Sequence, residues 1–151
     1  MSALKNRLHD DLHAAIKARD ELTMSTLRMA ITAVSNAEVA GKSTKELTDD
    51  EVLKVLAKEA KSRKESAAAY TDAGRTDLAE RESAELGVLE GYLPKQLGDT
   101  ELTALVEQAI AETGATGMAQ MGAVMKAAGA AVAGRADGGR VAAIVKAKLA
   151  G

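Results

Sequence analysis

The sequence lacks cysteine, phenylalanine and tryptophan, and its aromatic content is two tyrosines in 151 residues. Without cysteine the chain has no disulfides, no thiolate metal ligands and no thiol nucleophile. With so few aromatic residues, the core has to be built from Leu, Ile, Val, Met and Ala, a composition that favours closely packed helices over sheets. We therefore expect an all-helical protein.

The sequence also lacks a long apolar run. No stretch approaches the ~20 residues that span a bilayer, and charges stand near the N-terminus where a signal peptide has its hydrophobic segment. These absences, together with the missing cysteines, predict a cytoplasmic protein that does not enter a membrane. The net charge is only -2, so any binding to nucleic acid requires a local basic patch.

The only proline, Pro94, divides the chain. Proline lacks an amide proton and its ring clashes with the preceding turn, so a helix cannot continue through it. The 46% hydrophobic content is enough for one domain or two small ones. We predict an N-terminal domain of about four helices over residues 1–93 and a small three-helix domain over residues 94–151.

Apolar spacing and capping residues predict seven helices. The clearest start is the capping box Thr48-Asp49-Asp50-Glu51. Glycines that follow helical stretches predict several of the ends. The predicted helices run from Ser2 to about Ala18, Met24 to Gly41, Thr48 to Ala73, Thr76 to Leu93, Asp99 to Gly114, Met118 to Gly134 and from Asp137 onward. The predicted N-caps are Ser2 for the first helix, Thr76 or Asp77 for the fourth, Asp99 or Thr100 for the fifth and Asp137 for the seventh.

Four charged residues fall where apolar residues are expected. At about 100° per residue, Arg63 lies in the middle of the apolar arc of the third helix. Glu82 and Glu85 lie inside the arc of the fourth helix, and Glu38 lies within that of the second. Because a lone buried charge costs several kcal/mol, we predict that these four residues meet in a structural arginine–carboxylate network.

A metal site is the alternative interpretation of the inward-facing glutamates, because di-iron helical bundles use such carboxylates. Arg63 opposes this interpretation, since a fixed cation repels a metal ion. His9 and His13 have the spacing of a zinc protease helix, but Asp10 stands where that motif has Glu, and the sequence has no other His or Cys. We therefore expect no metal and no cofactor, and no catalytic residues are assigned.

Lys54, Lys58 and Lys61 form a stripe on the opposite face of the third helix. A solvated surface is the favoured interpretation, because lysines opposite an apolar stripe are common and Glu51 and Asp50 dilute the charge. Contact with RNA phosphates is the alternative, which makes these lysines the weaker candidates for RNA binding.

Positive charge is concentrated near the C-terminus. From residue 113 onward Asp137 is the only acidic residue, and the local charge is about +4. The segment from Gly134 to Arg140 has two open interpretations: free amides at a helix N-terminus that bind phosphate, or a tight turn in which Asp137 caps those amides. The candidate RNA-binding residues are Lys126, Arg135, Arg140, Lys146 and Lys148.

Met118, Met121 and Met125 share one face of the predicted sixth helix. Methionine adapts to varied partners, so this face is a candidate docking surface for another protein. The favoured alternative is that the three side chains are core of the three-helix domain.

Six motifs occur in order along nearly the whole chain. They are Leu27-Arg28 with Glu38; Lys58-x-x-Lys61-x-Arg63; Ala73-Gly74-Arg75-x-Asp77-Leu78 with Glu82 and Glu85; Tyr92-Leu93-Pro94-x-Gln96-Leu97; Met121-Gly122-x-Val124-Met125; and Gly134-Arg135-Ala136-Asp137-Gly138. In these motifs the chain resembles the GatB/YqeY-domain family, in its stand-alone YqeY-like form. Where that family often has a lysine after Met-Gly, this sequence has Ala123, with Lys126 one turn further on.

The resemblance implies a helical N-terminal domain joined to a C-terminal domain shared with the tail of the B subunit of the tRNA-dependent amidotransferase, a tail that contacts tRNA. It implies no amidotransferase chemistry, because the catalytic part of that subunit has no counterpart in 151 residues. We expect a non-catalytic accessory in translation that binds tRNA or other structured RNA. The alternative is a module that docks on an amidotransferase or another translation component, and a carbon–nitrogen ligase label would come by kinship alone.

Overall fold

The computed structural model describes residues 2–150, and these residues form seven α-helices and one short 3-10 turn, with no strand. The prediction of an all-α fold is confirmed. The helices are α1 (Ala3–Ala18), α2 (Glu21–Val39), α3 (Asp49–Asp72), α4 (Thr76–Glu90), α5 (Asp99–Thr113), α6 (Met121–Val132) and α7 (Gly138–Ala150), and the 3-10 turn (Met118–Gln120) precedes α6.

The chain divides into two compact units, Met1–Leu93 and Pro94–Gly151. In the N-terminal unit, α1 to α4 pack around an aliphatic core in which Leu8, Leu27 and Leu56 are fully buried. The buried residues of this core are all aliphatic, and the partly buried Tyr92 packs against them.

In the C-terminal unit, α5, α6 and α7 enclose a second core. Leu102, Val106, Val124 and Val145 are fully buried there, and Leu97 joins them from the segment before α5. Met121 and Met125 pack against this core, whereas Met118 in the 3-10 turn is exposed. The favoured core interpretation therefore fits Met121 and Met125 and does not fit Met118.

Two predicted N-caps of the N-terminal unit, Ser2 and Thr48, cap the free amides of their helices. The Ser2 hydroxyl accepts a hydrogen bond from the Lys5 amide at 2.9 Å. Thr48 and Glu51 form the predicted capping box, in which the Glu51 amide donates to the Thr48 hydroxyl at 3.3 Å. Each cap satisfies an amide that has no partner inside the helix, so the start of the helix is encoded locally.

The prediction for the start of α2 was wrong by one turn. The helix begins at Glu21, because the Asp20 carboxylate caps it by accepting from the Thr23 amide at 3.2 Å and from the Thr23 hydroxyl at 2.7 Å. The helix also ends at Val39, before the predicted Gly41. The apolar stripe starts at Met24, so periodicity alone missed the polar first turn.

The predicted caps of α4 and α5 were also wrong. The N-cap positions are Arg75 and Gly98, neither with a side-chain cap. Asp77 instead lies in the first turn of α4, with its carboxylate 3.4 Å from the Arg75 guanidinium, and Asp99 lies in the first turn of α5. Acidic residues in a first turn interact favourably with the helix dipole, so both positions stabilise their helices without capping them.

Candidate functional site

Arg63 of α3 lies against carboxylates from its own helix and from α4. Its guanidinium nitrogens are 3.6 Å from Glu82, 3.5 Å from Glu85 and 3.5 Å from Glu59 one turn earlier. Glu85 also accepts from Arg81 at 3.4 Å, so three carboxylates surround two guanidinium groups. Arg63, Glu82 and Glu85 thus meet between α3 and α4, where the buried Glu85 side chain is only 6% exposed.

The centre of this network is closely packed. The Arg63 Nε atom and one Glu82 oxygen are buried without a hydrogen-bond partner, 3.6 Å from each other. The space beside them, bounded by Thr26, Met29 and Arg63, is too small to admit a water molecule. Within residues 2–150 no group of three or more His, Asp or Glu side chains is arranged to hold a metal ion. The geometry is that of a brace joining two helices.

Glu38 does not belong to this network, and its assignment to it was wrong. Its carboxylate accepts from the Lys5 ammonium of α1 at 2.6 Å and from the Leu47 amide at 3.2 Å. Arg63 reaches α2 at Met29 instead, with its Nη1 atom 3.7 Å from the sulfur. Met29 precedes Glu38 by nine residues, about 14 Å along the helix axis. Helical phase predicts the face on which a residue lies, but it does not predict which neighbour that face meets.

The contacts of Glu38 shift its acidity. The hydrogen bond from Lys5 and then that from the Leu47 amide lower the pKa of the Glu38 carboxyl below its ordinary value. Lys5 was missed as a partner because it lies in the first turn of α1, far from Glu38 in sequence. Glu59 and Arg81 were missed as well, although each stands four residues before its partner, the spacing that places side chains side by side on a helix.

Two of the candidate RNA-binding residues form hydrogen bonds within the C-terminal unit. Arg135 donates to the carbonyls of Val132 at 3.0 Å and Ala131 at 2.9 Å, where it caps the end of α6. Arg140 donates to the Leu97 carbonyl at 3.1 Å and to the Asp99 carboxylate at 2.7 Å. Both guanidinium groups are therefore engaged within the unit.

The turn between α6 and α7 is closed by local contacts. Ala133 and Gly134 end α6 in the left-handed region, with φ of 50° and 78°. The Asp137 carboxylate accepts from the Gly139 amide at 3.0 Å, as expected for a residue that caps α7. Of the two interpretations left open above, this contact fits the tight turn, because the Asp137 carboxylate is bound by one of the free amides at the start of α7.

The other basic candidates differ in their surroundings. Lys148 of α7 pairs with Glu107 of α5 at 2.9 Å. Lys126 of α6 and Lys146 of α7 are exposed, and neither forms an ion pair or a side-chain hydrogen bond with any of residues 2–150. On α3, Lys54, Lys58 and Lys61 are exposed, and Lys61 has an interaction within the chain. Lys54, Lys58, Lys126 and Lys146 are thus exposed and have no side-chain partner among residues 2–150.

The acidic residues of the C-terminal unit are concentrated on one helix, α5. Apart from Asp137, every acidic residue of the unit lies on α5, namely Asp99, Glu101, Glu107 and Glu112. All four are exposed. The unit thus has one acidic helix, α5, and two helices that carry mostly basic residues, α6 and α7. The two basic helices pack against each other.

His9 and His13 lie on α1, with His9 half-buried and His13 exposed, and no metal-binding group of side chains includes either of them among residues 2–150. In the same part of the chain, no helix is both long enough and apolar enough to cross a membrane.

Comparison with known proteins identifies relatives in fungi. The chain is 35% identical over 91 residues to Altered inheritance of mitochondria protein 41, mitochondrial, of Meyerozyma guilliermondii, which covers 60% of this chain and 47% of the relative. It is 33% identical over 107 residues to the protein of that name in Pyrenophora tritici-repentis, and the matched region covers 69% of this chain and 58% of the relative. An uncharacterized protein of Schizosaccharomyces pombe is 38% identical over 82 residues, which covers 54% of this chain and 64% of the relative.

The chain spans about half the length of the first two relatives, 47% and 58%. The match to a family is more extensive. The sequence model of the family described as "Yqey-like protein" matches residues 5–149, which include all the helices from α2 to α6 and most of α1 and α7. The chain belongs to the family of Yqey-like proteins.

Proposed function

We propose that the protein binds structured RNA, with tRNA as the first candidate, and that it does so without catalysing a reaction. The observation that carries the proposal is the pair of exposed lysines, Lys126 and Lys146, that have no partner among the described residues. A lysine already paired with a carboxylate gains less from binding a phosphate, because the ion pair must be exchanged. Unpaired lysines release condensed counterions from RNA at no such cost.

The helix surface around Lys126 supports close approach of a nucleic-acid backbone. Gly122, Ala123, Gly129 and Ala130 are all exposed on α6 and carry at most a methyl group. Without long side chains to displace, a sugar–phosphate backbone can reach the lysine along the surface of the helix. The small residues supply no stacking surface and few hydrogen bonds to bases, so recognition would depend on the shape of the RNA and on its phosphates.

The acidic helix α5 would orient the complex. Two of its exposed carboxylates, Glu101 and Glu112, form no ion pair with residues 2–150 and would repel phosphates, so an RNA is expected to contact α6 and α7 and to avoid α5. Arg135, Arg140 and Lys148 are given a different role from the one expected from sequence. In this proposal Arg135 and Arg140 stabilise the unit that presents Lys126 and Lys146, so their removal would weaken RNA binding indirectly. Lys148 is held in an exposed ion pair with Glu107, so its removal should change RNA binding little.

A titration of labelled tRNA monitored by fluorescence anisotropy tests this function. We expect weak binding that decreases steeply between about 50 and 200 mM salt. Replacing both Lys126 and Lys146 by Ala should weaken binding and lower the slope of log K against log salt by about 1.4 to 1.8, which is roughly 0.7 to 0.9 for each phosphate that a lysine no longer neutralises. The Lys148→Ala variant is the matched control, since its ammonium is paired with Glu107. Equal weakening in both variants, or no tRNA binding by the unmodified protein, would reject the proposal.

The alternative of a protein-docking module has less support. It relied on three methionines, but Met121 and Met125 pack against the core and only Met118 is exposed. An amidotransferase partner and a carbon–nitrogen ligase activity remain expectations from the family resemblance. The cytoplasmic location likewise stays a prediction, while the names of the two fungal relatives place those proteins in mitochondria.

A further inference from the structure

The segment that follows α4 is fastened to α1 by three side chains. The Tyr92 hydroxyl donates a hydrogen bond to the Asp11 carboxylate. The Arg7 guanidinium lies 4.4 Å from the centre of the Tyr92 ring and donates to the Gly91 carbonyl at 3.3 Å. Arg7 is also 3.8 Å from Asp11, so the three side chains contact one another. We call Arg7, Asp11 and Tyr92 the latch.

The latch holds residues that are not part of any helix. α4 ends at Glu90, and the Gly91, Tyr92 and Leu93 amides form only turn hydrogen bonds, of 3.3, 3.0 and 3.2 Å. Tyr92 and Leu93 also pack against the N-terminal core while remaining partly exposed. Partial burial and the Asp11 hydrogen bond raise the pKa of the Tyr92 phenol, so the hydroxyl stays a hydrogen-bond donor at neutral pH. The latch therefore supplies the specific polar contacts that keep this segment in place.

The next anchor along the chain belongs to the C-terminal unit. Leu97 is buried in that core, its amide donates to the Arg135 carbonyl at 2.7 Å, and its carbonyl accepts from Arg140 at 3.1 Å. Between Leu93 and Leu97 only Pro94, Lys95 and Gln96 are left without such an anchor. Lys95 and Gln96 are exposed.

We propose that the latch sets the working length of the linker between the two units. With the latch closed, the chain from Leu93 to Leu97 spans at most about 14 Å, from four residue steps of about 3.6 Å. With the latch open, the free segment begins after Glu90 and its seven steps span up to about 25 Å. Opening the latch, together with release of Tyr92 and Leu93 from the core, thus nearly doubles the reach of the linker. This inference is independent of RNA binding.

Limited digestion of the full chain with trypsin tests the latch, because Lys95 is an exposed trypsin site inside the linker. A protease needs more extended residues than the closed linker offers, so cleavage follows the population in which an anchor has opened. Tyr92→Phe removes the hydrogen bond to Asp11, and Asp11→Asn removes the negative charge of the Asp11 side chain. We expect Tyr92→Phe to accelerate cleavage of the Lys95–Gln96 bond by about tenfold to a hundredfold, the equilibrium value of one hydrogen bond to a charged group. Asp11→Asn keeps an oxygen that can accept the bond, so its acceleration should be smaller.

Two matched controls test whether faster cleavage at Lys95 is specific to substitutions in the latch. Asp10→Asn changes the neighbouring exposed carboxylate, and Tyr70→Phe changes the other tyrosine of the chain. Both are expected to leave the rate of cleavage at Lys95 unchanged. An equal acceleration in either control would overturn the proposal.

Backbone amide relaxation of the same variants gives a second readout that does not depend on a protease. The order parameters of Gly91, Tyr92 and Leu93 should fall from a rigid value of about 0.85 toward 0.6 or lower in Tyr92→Phe and Asp11→Asn. Those of α1 and α4 should not change, which shows that the N-terminal unit is still folded. Residues 91–93 that stay rigid in both variants would contradict the latch, whatever the cleavage rate.

Discussion

Arg63 has a side chain that is only 19% exposed and depends on its neighbours for its charge balance. No single partner is closer than 3.5 Å, so the guanidinium is held by several moderate contacts with Glu59, Glu82 and Glu85. Removing the arginine would leave three carboxylates with Arg81 as their remaining cation. Because like charges in a confined space repel one another, the network tolerates the removal of this cation poorly.

We predict that Arg63→Ala lowers the free energy of unfolding of the N-terminal unit by about 2 to 4 kcal/mol, slightly less than for a fully buried ion pair. Chemical denaturation followed by circular dichroism measures the loss. Lys64→Ala, an exposed neighbour on α3, should change stability by less than about 0.5 kcal/mol. Combining Arg63→Met with Glu82→Leu and Glu85→Leu should recover much of the stability. An Arg63→Ala variant as stable as the unmodified protein would show that the brace contributes nothing.

We predict that ionisation of Glu38 makes the stability of the N-terminal unit depend on pH. Its pKa is lower in the folded state, so its contribution to stability is complete above the unfolded pKa of about 4.3 and is lost as the pH falls through the folded value. Melting temperatures measured between about pH 7 and pH 2.5 should therefore decrease more steeply for the unmodified protein than for Glu38→Gln. Glu80→Gln, at an exposed position of α4, is the control. Parallel curves for Glu38→Gln and the unmodified protein would contradict the assignment.

At the scale of whole elements, residue spacing is enough to predict the seven helices, because their apolar positions recur every three or four residues and local side chains cap several of them. Spacing does not predict which distant element a side chain meets. Arg140 is the clearest example: its partner, the Leu97 carbonyl, is 43 residues away in sequence. Glu38 shows the same limit, since its face was predicted correctly and its partner was not. The roles of charged residues therefore depended on tertiary structure.

Arg140 of α7 binds the residues at the start of α5, and we predict that these contacts stabilise the C-terminal unit. Arg140→Ala removes two hydrogen bonds, one of them to the Asp99 carboxylate. We expect a loss of about 1 to 3 kcal/mol, the range for hydrogen bonds that involve a charged group. Lys146→Ala, six residues later on α7, should be nearly neutral because its side chain is exposed and unpaired among residues 2–150. Thermal melts of the two variants measure the difference, and equal losses would refute this division of roles.

At the scale of the whole molecule, positive charge serves two purposes. Arg63 and Arg140 stabilise the units, while Lys126 and Lys146 are available to a ligand. The net charge of -2 does not show where the positive charges lie, because many acidic residues are on other elements, such as α5. Under the proposed function, a protein with a weakly acidic total charge would present a local basic surface to RNA.

Mapping amide chemical shifts during a titration with tRNA tests this proposed role of the two lysines most directly. We predict that the largest shifts occur at exposed residues around them, at Gly122 and Gly129 on α6 and at Ala143 on α7. The amides of α5 should be little affected, and the shifts should be reversed by salt as the phosphate contacts are screened. Shifts confined to α5, or to the face of α3 that carries Lys54, Lys58 and Lys61, would contradict the proposal.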